Sequence, residues 1–376
     1  MKEIYLDNSS TTKMCEEALE SMIKTARNNY GNPSSVHLKG AESENILNLS
    51  REKLAENINC EKHQIYFTSG GTESNNIAIL GSIAKNRKLG DKIVTTSIEH
   101  PSVLEPIKHL ERKGYEVKYV KSTPSGIDTD DLIRSIDDRT ALVSVMMVNN
   151  ETGEKIPVEK IKNIIKFKRS KAIFHVDAVQ AFCKTHVDVL KLGVDLLSVS
   201  AHKVHGPMGI GALYVLNKNL LSPIIFGGGQ ENNLRSGTQP VEIISGFSEA
   251  IRSKEDIDLY HNNVNEINNY LINKIHKINS ISVNSPPNSI PYILNLSIEG
   301  IPSEVMVNYL SDKGIYVSAG SACSKNKKSR VLSNMGLSEN RINTAIRVSF
   351  SRFSTREEVD IFVKAVTCAI ENLSKK

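Results

Sequence analysis

The stretch Phe174-His175-Val176-Asp177-Ala178-Val179-Gln180, followed after one helical interval by Val194-Asp195-Leu196-Leu197-Ser198-Val199-Ser200-Ala201-His202-Lys203, decides how this chain folds. Each half is a short apolar run that ends on polar, chemistry-bearing residues. Such a run suits a strand covered on both faces, as in a parallel sheet. Asp177 and Lys203, 26 residues apart, would then stand at the carboxyl ends of two strands. A flexible glycine-rich segment, Gly206 to Gly211, follows the lysine.

The same pattern repeats outward from this pair. Strand-like runs lie at Ile65–Thr68, Lys92–Ser97, Glu116–Val120, Ala141–Val148, Ala172–Val176, Leu196–Ser200 and Ala212–Leu216, with helical patterns between several of them, such as Ser74–Lys85 and Val103–Lys113. Strands alternating with helices predict an α/β domain, a doubly wound and mainly parallel seven-stranded sheet that binds ligands at the strands' carboxyl ends. After Pro240 the pattern changes. A polar helical stretch, 253–278, leads to Pro286-Pro287, and short strands at Tyr292–Ser297, Ile315–Val317 and Ala345–Ser349 alternate with helices at Pro302–Asp312 and Thr355–Leu373. This divides the chain into a large domain, 15–255, and a smaller α+β domain made of 1–14 and 256–376.

Bulk properties narrow the function. A chain of 376 residues exceeds one small core, and 39% hydrophobic with 24% charged residues is the balance of a globular protein in water. With 5% aromatics and no tryptophan, a stacking platform for single-stranded nucleic acid is not expected. The excess of 47 basic over 42 acidic residues is too mild to name a partner, and no direct nucleic-acid role is assigned. Met1-Lys2-Glu3-Ile4 has no apolar signal core, and no run approaches the ~20 apolar residues that cross a bilayer, so a cytoplasmic location is expected. Cys15, Cys60, Cys183, Cys323 and Cys368 are scattered without metal-site spacing, and disulfides are not expected in that compartment. What matters is which thiol is reactive.

Several motifs carry chemistry, each with a bland alternative. Lys203 and Asp177 can converge on one aromatic cofactor. A lysine can hold pyridoxal phosphate as a Schiff base, while an aspartate keeps its ring nitrogen protonated. Thr68-Ser69-Gly70-Gly71-Thr72-Glu73-Ser74-Asn75 joins a strand to a helix, which makes it a phosphate cradle or a plain N-cap turn. His100, in Ile98-Glu99-His100-Pro101, is a ring stacked on the cofactor that can move protons, or a turn residue. Asn150, in Val148-Asn149-Asn150-Glu151, and Gln180 could bond a phenolic oxygen, or simply shape turns. Arg235-Ser236-Gly237-Thr238-Gln239-Pro240 is a connector or an arm reaching across an interface. Arg347, within a strand, fits a carboxylate in bidentate fashion or forms a surface ion pair. Ser318-Ala319-Gly320-Ser321-Ala322-Cys323-Ser324-Lys325 sets a cysteine among small residues, with Lys325, Lys327, Lys328 and Arg330 following. Cations and exposure favour thiolate. The alternative is a surface loop with an incidental thiol.

Taken in order, these motifs resemble the group I cysteine desulfurases (NifS/IscS type) of the class V aminotransferase superfamily, pyridoxal-phosphate fold type I. The resemblance runs from Tyr5-Leu6-Asp7-Asn8 and Gly31-Asn32-Pro33-Ser34-Ser35 through the motifs above to Ser321-Ala322-Cys323 and Arg347. It implies pyridoxal 5′-phosphate on Lys203, with Asp177 at the ring nitrogen, His100 on the ring, and Asn150 and Gln180 at the phenolic oxygen. Gly71, Thr72, Ser200 and His202 would hold the phosphate, joined by Thr238 from a second subunit of a homodimer. Arg347 with Asn32 would bind the substrate carboxylate. Cys323 would take sulfur from L-cysteine as a persulfide, leaving L-alanine, for delivery to iron–sulfur cluster assembly or transfer-RNA thiolation. No metal is implied. The chain departs from the family's pattern at Ser10 and Met208, and it stops at Lys376 without the longer tail of housekeeping members, which leaves the sulfur acceptor open. The rival readings are a selenocysteine lyase or another enzyme of the same superfamily, and a sulfur carrier that no longer catalyses.

Overall fold

A computed structural model of the chain describes residues 3–319 and 328–373. At its centre is a sheet of β1 (Ile65–Thr68), β2 (Lys92–Thr96), β3 (Glu116–Val120), β4 (Thr140–Met146), β5 (Ile173–Asp177), β6 (Leu196–Ser200) and β7 (Gly211–Val215). Across the sheet the order is β1-β7-β6-β5-β4-β2-β3. The pairings from β6 to β3 are parallel, and β7 is antiparallel to both of its neighbours. These are the seven runs read from the sequence, with ends displaced by no more than two residues.

The runs are continuous because both faces of the sheet are covered. Leu142, Ile173, Leu196 and Leu213 enter one apolar cluster, while their neighbours Val143, Phe174, Leu197 and Ala212 enter the other. The helix Gly71–Lys85 lies against β4, β5, β6 and β7, with the helix Pro101–Arg112 beside it. Pro101 opens the second helix, where a missing N–H costs nothing, and Val103, Leu104, Ile107 and Leu110 are its buried face. With β1, β2, β4, β5 and β6 all parallel, their carboxyl ends share one edge of the sheet, and every loop that leaves them faces the same space.

The C-terminal part forms a second, antiparallel sheet of β8 (Ile281–Val283), β9 (Ile293–Ile298) and β10 (Ala345–Ser349). The helix Ser303–Ser311 packs on β10, and Arg356–Leu373 packs against Lys254–Ile275. The extreme N-terminus joins this part of the molecule. Ile4–Tyr5 pairs in parallel with Ile315–Tyr316, and the Ser349 N–H donates to the Leu6 carbonyl at 2.7 Å. The crossing carries Ser9 and Ser10 to the carboxyl edge of the large sheet. No helix among the described residues is long and apolar enough to cross a membrane.

Candidate active site

The loops at that edge enclose a cavity of about 480 Å³. Its lining includes Lys203, Asp177, His100, Gly71, Thr72, Asn150, Gln180, Ser200, His202 and Arg347. Residues spread over almost 280 positions are thus gathered by the strand ends, and by β10 for the arginine.

Asp177 ends β5 with only 6% of its surface exposed. Its Oδ1 accepts from the Val179 N–H at 3.0 Å and its Oδ2 from the Asn75 amide at 2.8 Å. The same Asn75 nitrogen donates to Ser102 Oγ at 2.8 Å, and Ser102 Oγ lies 2.7 Å from His100 Nδ1. The Ser102 main-chain N–H, which can only donate, also points at Nδ1, from 3.1 Å. Nδ1 is therefore an acceptor and the ring proton sits on Nε2. Burial, with smaller contributions from Lys203 and Arg330, holds His100 below its ordinary range against the pull of Asp177, so the ring is neutral.

Lys203 follows β6 on a short helical turn, and its Nζ donates to the Ser9 and Ser10 carbonyls at 2.6 Å each. Gln180 reaches the same place, its Nε2 donating to the Ser9 carbonyl at 2.9 Å. Of the two asparagines read together, only Asn150 lines the cavity. Asn149 is buried, its Oδ1 accepting from the Glu151 and Thr152 N–H groups at 2.9 Å each, which fixes the turn. Arg347 is 2% exposed, so the surface-pair alternative does not hold. It donates to Asp7 Oδ1 at 2.8 Å, to Ser10 Oγ at 2.7 Å and to the Asn150 carbonyl at 2.7 Å, and its Nε has no partner among the described residues.

Two expected residues do not join the cavity within one chain. Asn32 is exposed, its Oδ1 accepting from the Ser34 N–H at 2.9 Å in a local turn, and Thr238 is exposed on the segment that follows the Arg235–Glu73 ion pair. Cys323 lies outside the described residues. The described chain after it reaches the cavity, and the described chain before it pairs with the cavity's Arg347. Ser318 exchanges main-chain hydrogen bonds with Arg347, while Lys328 and Arg330 line the cavity. Ser329 Oγ donates to Glu151 Oε2 at 2.5 Å, and the Arg330 guanidinium donates to the Ser97 and Glu99 carbonyls. Burial pushes the thiols of Cys60 and Cys183 up to about 12, which removes them as nucleophiles at neutral pH.

Sequence reasoning assigned no role to Asn75, Ser102, Glu99 or Lys184. Glu99 is fully buried on the cavity wall, raised to about 8 by that burial, with Oε1 accepting from Thr96 Oγ1 at 2.6 Å and from the Met146 N–H at 3.0 Å. A polar residue on a strand-end loop was the available clue; its complete burial was not legible.

Comparison with known proteins agrees with this geometry. The family model for aminotransferase class-V matches residues 4–362. A cysteine desulfurase IscS of Methanosarcina thermophila is 38% identical over 99% of this chain and 93% of its own. The chain belongs to the cysteine desulfurases of the class-V aminotransferase family. A solved NifS-like protein superposes with a TM-score of 0.93 at 36% identity, covering 98% of this chain and 100% of its own. A structure described as SspA in complex with cysteine gives a TM-score of 0.81 at 33% identity, over 94% of this chain and 100% of its own.

Pyridoxal 5′-phosphate is the cofactor of this desulfurase, and the cavity's donor set fits it. A buried carboxylate suits a ring N–H, and the Lys203 amine suits an aldehyde. The helix that begins at Gly71, with Thr72, Ser200 and His202 also on the wall, suits a phosphate. Gly71 admits no side chain, since an added Cβ would come 2.7 Å from Val179 Cγ2.

Proposed function

We propose that this cavity converts L-cysteine to L-alanine and passes the sulfur to Cys323 as a persulfide. The observation that carries the reading is the convergence, in one cavity, of the Lys203 amine, the Asp177 carboxylate and the chain that follows residues 320–327, at Lys328 and Arg330, while Ser318, on the other side of those residues, is hydrogen-bonded to the cavity's Arg347. Cys323 is tied to Ala319 by four residues of chain, which limits their separation to about 14 Å.

Lys203 would anchor the cofactor, and its free amine would take the substrate's α-proton. Asp177 would hold the ring-nitrogen proton, and Asn75 and the Val179 N–H orient its carboxyl group. Gly71, Thr72, Ser200 and His202 would hold the phosphate, with Thr238 supplied by a second subunit. His100 would stack on the ring, and Asn150 and Gln180 would bond the phenolic oxygen. Bound pyridoxal phosphate supplies an electron sink for the charge left at the α-carbon. Arg347, with Asn32, receives the substrate carboxylate. The Cys323 thiolate attacks the substrate sulfur, so an S–S bond forms as the Cβ–S bond breaks, with the electron pair remaining on the carbon side. A proton then completes the methyl group. In sum, L-cysteine and one thiol give L-alanine and one persulfide. His100 begins this sequence as a neutral donor through Nε2, because Nδ1 is already held by Ser102.

Exposed apolar side chains at Tyr30, Val36, Leu38 and Phe226 support a homodimer. The physiological acceptor we assign to a protein of iron–sulfur assembly or RNA thiolation, in the cytoplasm. The test is product analysis of the purified, cofactor-loaded protein with L-cysteine. Alanine and persulfide in equal amounts are expected. Pyruvate as the carbon product, or turnover only with selenocysteine, would overturn the reading.

A further inference from the structure

We propose that Lys184 is a positioning residue of this active site, a buried second cation that fixes Gln180 and opposes protonation of the nitrogen at Lys203. The inference rests on the reading of Lys203 as the cofactor's anchor. Lys184 stands on the turn after β5 and is 6% exposed. Its Nζ makes one side-chain hydrogen bond among the described residues, to Gln180 Oε1 at 2.8 Å. An ammonium accepts nothing, so it fixes the oxygen end of the amide and turns the nitrogen end towards Ser9. The Ser9 carbonyl receives Gln180 Nε2 at 2.9 Å and Lys203 Nζ at 2.6 Å. Two lysines are thus joined through one amide and one carbonyl.

Between them lies a small space of about 20 Å³, room for a single water. Facing Lys184 there are Cys183 from its own turn, Lys203 and His205 from the segment after β6, and Arg252 and Arg352. The phenols of Tyr260 and Tyr292 and the hydroxyls of Thr12 and Ser351 complete the polar lining, and none of the described lining residues is a carboxylate. His202 and Arg347 act on this group from slightly further away, and His261 contacts the Lys184 carbonyl at 3.1 Å. Burial first, then Lys203 and Arg347, bring Lys184 down to about 7. A cation with no counter-carboxylate is tolerated here only at the expense of its neighbours' protonation. A second proton on either lysine nitrogen therefore disfavours the first.

The test is a pH titration of the visible absorbance of the loaded, substrate-free protein, a readout that turnover does not enter. In Lys184→Met the midpoint is expected to rise by about one pH unit, a tenfold gain in proton affinity. Lys184→Arg, which keeps the charge throughout, is expected not to raise the midpoint. Lys184→Gln, which keeps a polar contact to Gln180 without the charge, should shift like methionine and serves if methionine does not fold. A wild-type midpoint in either neutral variant, at wild-type cofactor content and melting temperature, would overturn the proposal. A visible band that persists in Lys203→Ala would instead overturn the anchor assignment, and this proposal with it.

Discussion

The wall of the cavity that carries Lys203 and the rim that carries Ser318 and Ser329 are built by different means. The wall is made of strand ends, and its polar groups are buried and linked in a chain, His100 to Ser102 to Asn75 to Asp177. The rim is held by a few side chains, with Ser329 on Glu151, and Arg330 and Asn334 on the main chain of the His100 loop. The difference matches two demands. Proton and electron work needs groups held within a fraction of an ångström, whereas sulfur must arrive at a thiol and leave again for another protein.

The largest expected effect tests the wall. Lys203→Ala should abolish the visible absorbance and lower turnover by about 10⁴-fold or more, since it removes both anchor and base. The complementary change tests the rim. Cys323→Ser should retain the visible band and its response to added L-cysteine, yet release no sulfide above background. If the serine variant desulfurised L-cysteine at the wild-type rate, the division between wall and rim would fail. The two variants together separate loss of the cofactor from loss of the sulfur acceptor, which a turnover assay alone would confuse.

The wall was largely legible in the sequence and its supports were not. Strands buried on both faces leave unbroken apolar runs, and the residues that end them, His100, Asn150, Asp177 and Lys203, stand out by contrast. The supports leave no such mark. Asn75 reaches Asp177 across 102 positions from inside a helix, where an amide carries no pattern. Ser9 and Ser10 serve Lys203 through their carbonyls, which every residue owns, and they arrive on a two-residue strand too short to show periodicity. Arg347, taken alone, reads better as a surface ion pair, because its partner, Asp7, lies 340 positions away. Thr238 and Asn32 sit on the surface of one chain, outside its cavity, where Asn32 makes only a local turn contact.

A smaller effect concerns the joint between the two regions. Arg330 ties the rim to the loop that bears His100, so Arg330→Met should leave the cofactor bound with its visible band unchanged in position. Persulfide formation on Cys323 should slow by about tenfold, the size of effect that a modest misplacement of reacting groups produces. Single-turnover labelling of the persulfide would measure it. A change in the resting spectrum would show that rim and wall are not separable at this point.

The smallest effect falls on stability and lies wholly within the wall. Burial raises Glu99 to about 8, while in the unfolded chain it returns to the ordinary carboxylic range. Between those two values the folded protein keeps a proton that the unfolded chain has released. Stability from this group is therefore full below the unfolded value and is lost as pH rises through about 8. Glu99→Gln holds the same contacts to Thr96 and Met146 without a titrating proton. Its melting temperature, measured without cofactor so that ligand binding does not intervene, should fall less between mildly acid and mildly alkaline pH than that of the wild type. Each kcal/mol of relief would appear as roughly 2 °C. An equal fall in both proteins would mean that Glu99 is ionised in the fold.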